Sequence, residues 1–184
     1  MSKLLFKRDS FELQLLREMI ENVNHRTLVL WTIDCAQELL PLFFEKYPYE
    51  KRPVRAIETA KDWSKGRIKM KQAKLAAKET HQCAREINDL SASSFAHAIG
   101  HVIGTVHVET HALGFIIYTL TAYYHRDEGK QNLQKYLQWF YEKLQYWEEQ
   151  EPALNREWAP FLQKNNVPNK EKLLHEKLNK KEYL

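Results

Sequence analysis

Turn-forming residues are scarce: the 184-residue chain holds five glycines and six prolines. Barrels and sandwiches need many more to close their hairpins, so the composition argues against an all-β architecture. Cysteine is scarcer still. Cys35 and Cys83 both sit inside apolar helical patterns, which points to a reduced, cytoplasmic protein rather than a disulfide-stapled secreted one. No apolar run looks long enough to reach the ~20 residues that cross a bilayer, and the opening residues Met1 to Arg8 are too few and too charged for a signal peptide. Membrane insertion is therefore not expected. A nucleophile elbow, a phosphate-binding loop, a dinucleotide glycine pattern, an HExxH pair and a Cys-x-x-Cys pair are all missing, and the chain is expected not to be an enzyme.

What is abundant is apolar and aromatic surface. Apolar residues make up 43% of the chain, with eight Phe, nine Tyr and five Trp among them. That is too much for a disordered chain, and the length suits one domain burying roughly 70% of its unfolded surface. Hydrophobic periodicity predicts helices throughout. Ser10 is placed to cap a first helix running to His25, with Phe11, Leu15, Met19 and Val23 on its inner side. Leu28 to Leu40 is apolar nearly all round, with Thr27, Asp34, Gln37 and Glu38 on a narrow polar strip, and Pro41 ends or kinks it. Pro53 opens a third helix with Ile57, Ala60 and Trp63 inward, and Gly66 stops it. A fourth, Ile68 to Asn88, sets Leu75, Ala76, Cys83 and Ile87 against Arg67, Lys71, Lys74, Lys78 and Arg85. The apolar stretch from Ser91 to Tyr124 is longer than most helices, and a break is expected at Val108 to Thr110. Gln131 to Glu149 and a short helix from Pro152 to Leu162 follow.

These readings give an all-α fold: a compact single-domain bundle of about seven helices around a long central apolar segment. The bundle is expected over residues 1–168. After Asn165-Asn166-Val167-Pro168-Asn169, residues 169–184 form a basic amphipathic helix at the periphery of the same domain.

Four histidines, His97, His101, His107 and His111, fall within about 120° of arc if that stretch is one helix, and Gly100 and Gly104 share the arc. The i,i+4 pairs could each put two imidazoles on one divalent metal ion, with Asp34, Glu38 or Glu109 as candidates for a third ligand; this is the only cofactor the sequence suggests. All four cannot share an ion, since His97 and His111 would lie about 21 Å apart along a straight helix. The alternatives are neutral imidazoles hydrogen-bonded between helices, or a histidine-lined groove for a partner or small ligand. Asp34 and Glu38, one turn apart, either face that groove or pair with Arg52, Arg55 or Arg85. The candidate groove is thus Asp34, Glu38, His101, His107 and His111. The lysine stripe on the fourth helix has no interleaved aromatics to stack bases, so nucleic acid is not an expected partner.

An ordered set of residues carries a resemblance. It comprises Trp31, Asp34-Cys35-Ala36, Leu40-Pro41 with Phe43, and Arg52-Pro53; Ala56-Ile57, Ala60, Trp63 and Gly66; Ala76-Ala77 and Ala84-Arg85; then Ala98 with His101, Thr105 with His107, and His111-Ala112-Leu113-Gly114 with Tyr118. Over Leu28 to Tyr124 the chain resembles a family of small helical bacterial proteins classed as immunity proteins of polymorphic toxin systems. The resemblance implies a non-enzymatic protein that binds and neutralises a cognate toxin. It assigns no binding residues. The formal charge of +4 departs from the acidic surfaces of inhibitors that mimic nucleic acid. The other reading of the residues is a small-ligand or metal-binding bundle using the histidine groove.

Overall fold

The computed structural model describes residues 4–127, 131–164 and 169–182. Eight α-helices and no strand occur among them: α1 Gln14–Asn22, α2 His25–Phe44, α3 Arg52–Ser64, α4 Met70–Glu86, α5 Leu90–His107, α6 His111–Arg126, α7 Leu133–Gln150 and α8 Lys170–Glu182. The all-helical architecture is as the sequence predicts, with α1 to α7 forming the bundle and α8 the C-terminal helix. Asn165 to Pro168, where the sequence places a connection, lie outside the described residues.

Helix α5 is the hub. It packs most extensively on α6 and is also flanked by α2, α3 and α4. Its sequence explains how so many neighbours come close. Small residues line it, and its serines bond directly to adjacent backbones: Ser93 donates to the Ala84 carbonyl at 2.7 Å and Ser91 to that of Ala122 at 3.0 Å. Asp89 caps α5 by accepting from Ala92 N–H at 2.8 Å. Helix α2 is the second core element, with Trp31 fully buried and its indole N–H donated to the Phe140 carbonyl of α7. By length and composition α2 would pass as a membrane span, contrary to the reading that no such run exists, yet 61% of that span is buried inside the bundle. It is the core helix of this fold.

Other departures have local causes. The first predicted helix is split. Phe11–Leu13 is a 3₁₀ turn, Ser10 accepts from Lys7 N–H instead of capping, and the chain is extended at Val23 and Asn24 before Asn24 caps α2 through Thr27 N–H. The tighter turn rotates the register, so Leu13, Leu16 and Ile20 face the core while Phe11 is 85% exposed and Leu15 points out. Pro41 does not end α2. It lies on the exposed side of the helix, as does Gln37 one turn before it, while Leu39 and Phe43 hold both flanks in the core. Thr27 is fully buried rather than on the polar strip. Residues 151–162 form two 3₁₀ turns, Glu151–Ala153 and Pro160–Leu162, in place of one short helix. Gly66 adopts φ +75° after α3, and a Cβ there would sit 3.3 Å from the Ala159 backbone, so the stop is also a packing site. Helix α8 lies against α1, where Asn169 donates to the Ile20 and Val23 carbonyls and Glu171 pairs with Arg8.

Candidate functional site

The corner at Val108 to Thr110 decides where the histidines go. It turns α6 back along α5, so His111 returns to His101 instead of continuing away from it. Their Nδ1 atoms are 3.0 Å apart. A third imidazole comes from α4: His81 Nδ1 lies 3.0 Å from His97 Nδ1, and its ring meets that of His101 edge-on at 5.5 Å. Tyr118 of α6 covers both His97 and His101, with ring centroids at 4.9 and 5.2 Å. Three of the imidazoles, those of His81, His101 and His111, also rest on a glycine. A Cβ on Gly100 would fall 2.6 Å from His81, one on Gly104 2.6 Å from His111, and one on Gly114 2.6 Å from His101. Glycine at these three positions is a requirement of close approach.

In each Nδ1 pair one ring donates and the other accepts, so each pair needs one proton between its two Nδ1 atoms and no more. Adding a proton to the acceptor would set two N–H groups face to face. Burial, reinforced by the neighbouring imidazoles, holds His101 down at about 3 and His81 at about 4, and burial also lowers His97 and His111. Among the described residues no three His, Cys, Asp or Glu side chains converge in a way that could hold a metal ion.

The structure separates the remaining candidates from this cluster. His107 is exposed and stacks on Trp63, with centroids 5.9 Å apart and planes 17° apart. Asp34 and Glu38 meet neither histidines nor the arginines expected of them. Both pair with Lys143 of α7, at 2.9 Å for Asp34, which also accepts from the Trp147 indole N–H at 2.8 Å. The two carboxylates hold Lys143 well above the usual lysine range against the opposing effect of burial. The expected arginines are otherwise engaged or exposed: Arg52 pairs with Glu50 and Glu86. Replacing Lys143 by Met is expected to cost about 1–2 kcal/mol in chemical denaturation, since it removes the charge that Asp34 and Glu38 share in a partly buried setting.

His107 instead marks a cavity of about 750 Å³. Its walls come from the end of α3, the start of α4, the α5–α6 corner, the Pro160–Leu162 turn and the start of α8. On its inner side lie His25, which the sequence did not single out, and Glu109, which it offered only as a third metal ligand. His25 is buried, its Nε2 2.6 Å from the Thr105 carbonyl and its Nδ1 3.5 Å from Glu109 Oε1. The carbonyl can only accept, so Nε2 carries the hydrogen, and Nδ1 of the neutral ring offers Glu109 none. Burial lowers His25 despite the adjacent carboxylate. Glu109 is itself buried, and its Oε2 has no hydrogen-bond partner among the described residues.

A family model described as Imm-5 like putative immunity protein matches residues 18–146, reaching further at both ends than the segment that carries the resemblance. No curated protein and no solved structure matches the chain.

Proposed function

The chain belongs to the Imm-5-like immunity protein family, and we propose that it neutralises a cognate bacterial toxin by binding it, without chemistry of its own. The observation that carries this reading is the family match across residues 18–146, which takes in α2 to α6 whole. The interior supports it. Buried serines and threonines bond backbone carbonyls, and part-buried side chains pair across helices, His81 with His97, His101 with His111 and Lys143 with Asp34 and Glu38, which suits a rigid body that presents a surface. Both cysteines are free and buried, in keeping with action in the reducing cytoplasm of the producing cell. The net charge of +4 favours a partner with an acidic working face over a nuclease blocked by mimicry of nucleic acid.

Co-expression with the toxin domain of an adjacent reading frame tests the proposal. Cells carrying both genes are expected to grow, and cells carrying the toxin alone to arrest. Arrest in both, for every toxin domain encoded beside this gene, would defeat the reading.

A further inference from the structure

We propose that the cavity beside His107 is the anchor site for the toxin, and that it receives a tryptophan or tyrosine side chain from an acidic segment. The identity of the partner rests on the immunity reading; the chemistry of the occupant rests on the cavity alone.

Three observations converge on it. First, the walls are apolar and aromatic and partly open. Trp63 contacts both His107 and Phe161, with the Phe161 centroid at 5.6 Å, and Phe161, Met70 and Leu173 are each 43–52% exposed where they line the cavity. A volume of about 750 Å³ falls in the range that encloses an organic ligand, enough for an aromatic side chain with its flanking backbone. Exposed aromatic walls around a concave site are where anchor residues of protein interfaces insert.

Second, the Glu109 carboxylate lacks a donor among the described residues. The Glu109 side chain is 8% exposed, its Oε1 faces a ring nitrogen at 3.5 Å that has no hydrogen to give while His25 is neutral, and its Oε2 has no partner among the described residues. A buried acceptor without a donor is costly, and a donor brought in through the cavity it lines would relieve that cost.

Third, the charge around the opening fixes what kind of donor can enter. Lys69, Lys164 and Lys170 all line the cavity. They repel an ammonium or guanidinium group and attract carboxylates, so the donor must be uncharged and its neighbours acidic. An indole N–H or a phenol O–H meets the first condition and also fills aromatic walls. Acidic residues on either side of it meet the second.

The test has two arms. In the first, a catalytically inactive form of the toxin domain encoded beside the gene is titrated into the full-length protein by calorimetry. Glu109→Leu and Phe161→Ala are each expected to weaken binding at least tenfold, and the exposed charge reversal Lys69→Glu with Lys164→Glu and Lys170→Glu to weaken it at least tenfold at low salt. Circular dichroism confirms that each variant is folded. Wild-type affinity in all three variants would overturn the anchor proposal and leave the immunity reading standing.

In the second arm the probe is a blocked pentapeptide of one tryptophan flanked on each side by two acidic residues, followed by nuclear magnetic resonance of the labelled protein. The Trp63 indole signal and the His107 and Glu109 amides are expected to shift, and to remain unmoved with alanine in place of the peptide tryptophan. Equal shifts from both peptides, or none from either, would overturn the proposal whatever the toxin arm gives. A response to octanoate alone would do the same and reassign the cavity to an anionic lipid.

Discussion

Lowering the pH from 7.5 to 5.0 is expected to remove about 2–4 kcal/mol of folding stability, a large part of the 5–15 kcal/mol that holds a domain of this kind together. The folded chain keeps His81 near 4 and His101 near 3, against about 6.5 in the unfolded chain. Below 6.5 the unfolded state therefore binds protons that the folded state refuses, and stability falls as pH falls. The loss begins near pH 6.5 and continues until His81 titrates near 4 and His101 near 3. At pH 5.0 a histidine that stays neutral withdraws about 2 kcal/mol. Two such groups set the upper end of the range, and partial access of water to His81 sets the lower. His97 and His111 move in the same direction. Thermal denaturation across this window measures the effect. His101→Asn, which removes the most depressed group, is expected to start less stable at pH 7.5 and to lose less on acidification. A variant as pH-sensitive as the wild type would show that the imidazole cluster is not the source.

The second large effect concerns the glycine under His81. Gly100→Ala is expected to destabilise the fold by about 1–3 kcal/mol, although alanine in place of helical glycine ordinarily stabilises by about 1 kcal/mol. The added Cβ would lie 2.6 Å from the His81 ring, with all three of its nearest atoms in that ring, so the imidazole must leave and its bond to His97 must break. The double variant Gly100→Ala with His81→Ala removes the clash. It is expected to be more stable than the sum of the single effects by about 1–2 kcal/mol, measured as a coupling energy in urea. Strict additivity would mean that the ring swings aside freely and that the glycine is not there for it.

Much of this arrangement can be read from the chain, and the parts that cannot share a physical reason. The break between α5 and α6 and the stop at Gly66 are local, written in residues that sit next to one another. His81 was within reach. It lies one turn from Ala77 and Ala84 on a face of small residues that includes Ala73 and Thr80, and a polar ring among alanines signals close contact. That face was obscured because leucine outweighs alanine in any hydrophobicity count. Leu75 in fact points outward at 57% exposure, since α4 approaches α5 closely enough for Ser93 to bond the Ala84 carbonyl and leaves no room for a leucine between them. The core face of α1 is hidden for a related reason: one 3₁₀ turn before it rotates the register and leaves no mark on the periodicity.

The pairing of Asp34 and Glu38 with Lys143 is of another kind, because it joins residues more than a hundred positions apart. The cavity is the extreme case. His25, Trp63, Glu109, Phe161 and Lys170 come from separate segments, and only packing brings them to one place. Periodicity identifies which face of a helix is buried, but it carries no information on which distant segment covers that face. The same limit explains why His107 reads as one of four equivalent histidines, when the corner after it places it outside the cluster.

Neutralisation by binding, as proposed, requires the protein in stoichiometric rather than catalytic amount. The most direct measurement is a titration of the purified protein into a fixed amount of the active toxin domain encoded beside it, followed by the toxin's own activity. Activity is expected to fall in proportion to added protein and to reach zero at a stoichiometric amount, with the toxin unchanged in mass. Complete loss at a small fraction of an equivalent would reveal a catalytic inactivator, and full activity at several equivalents would show that the chain does not neutralise that toxin by binding; either result would contradict the account.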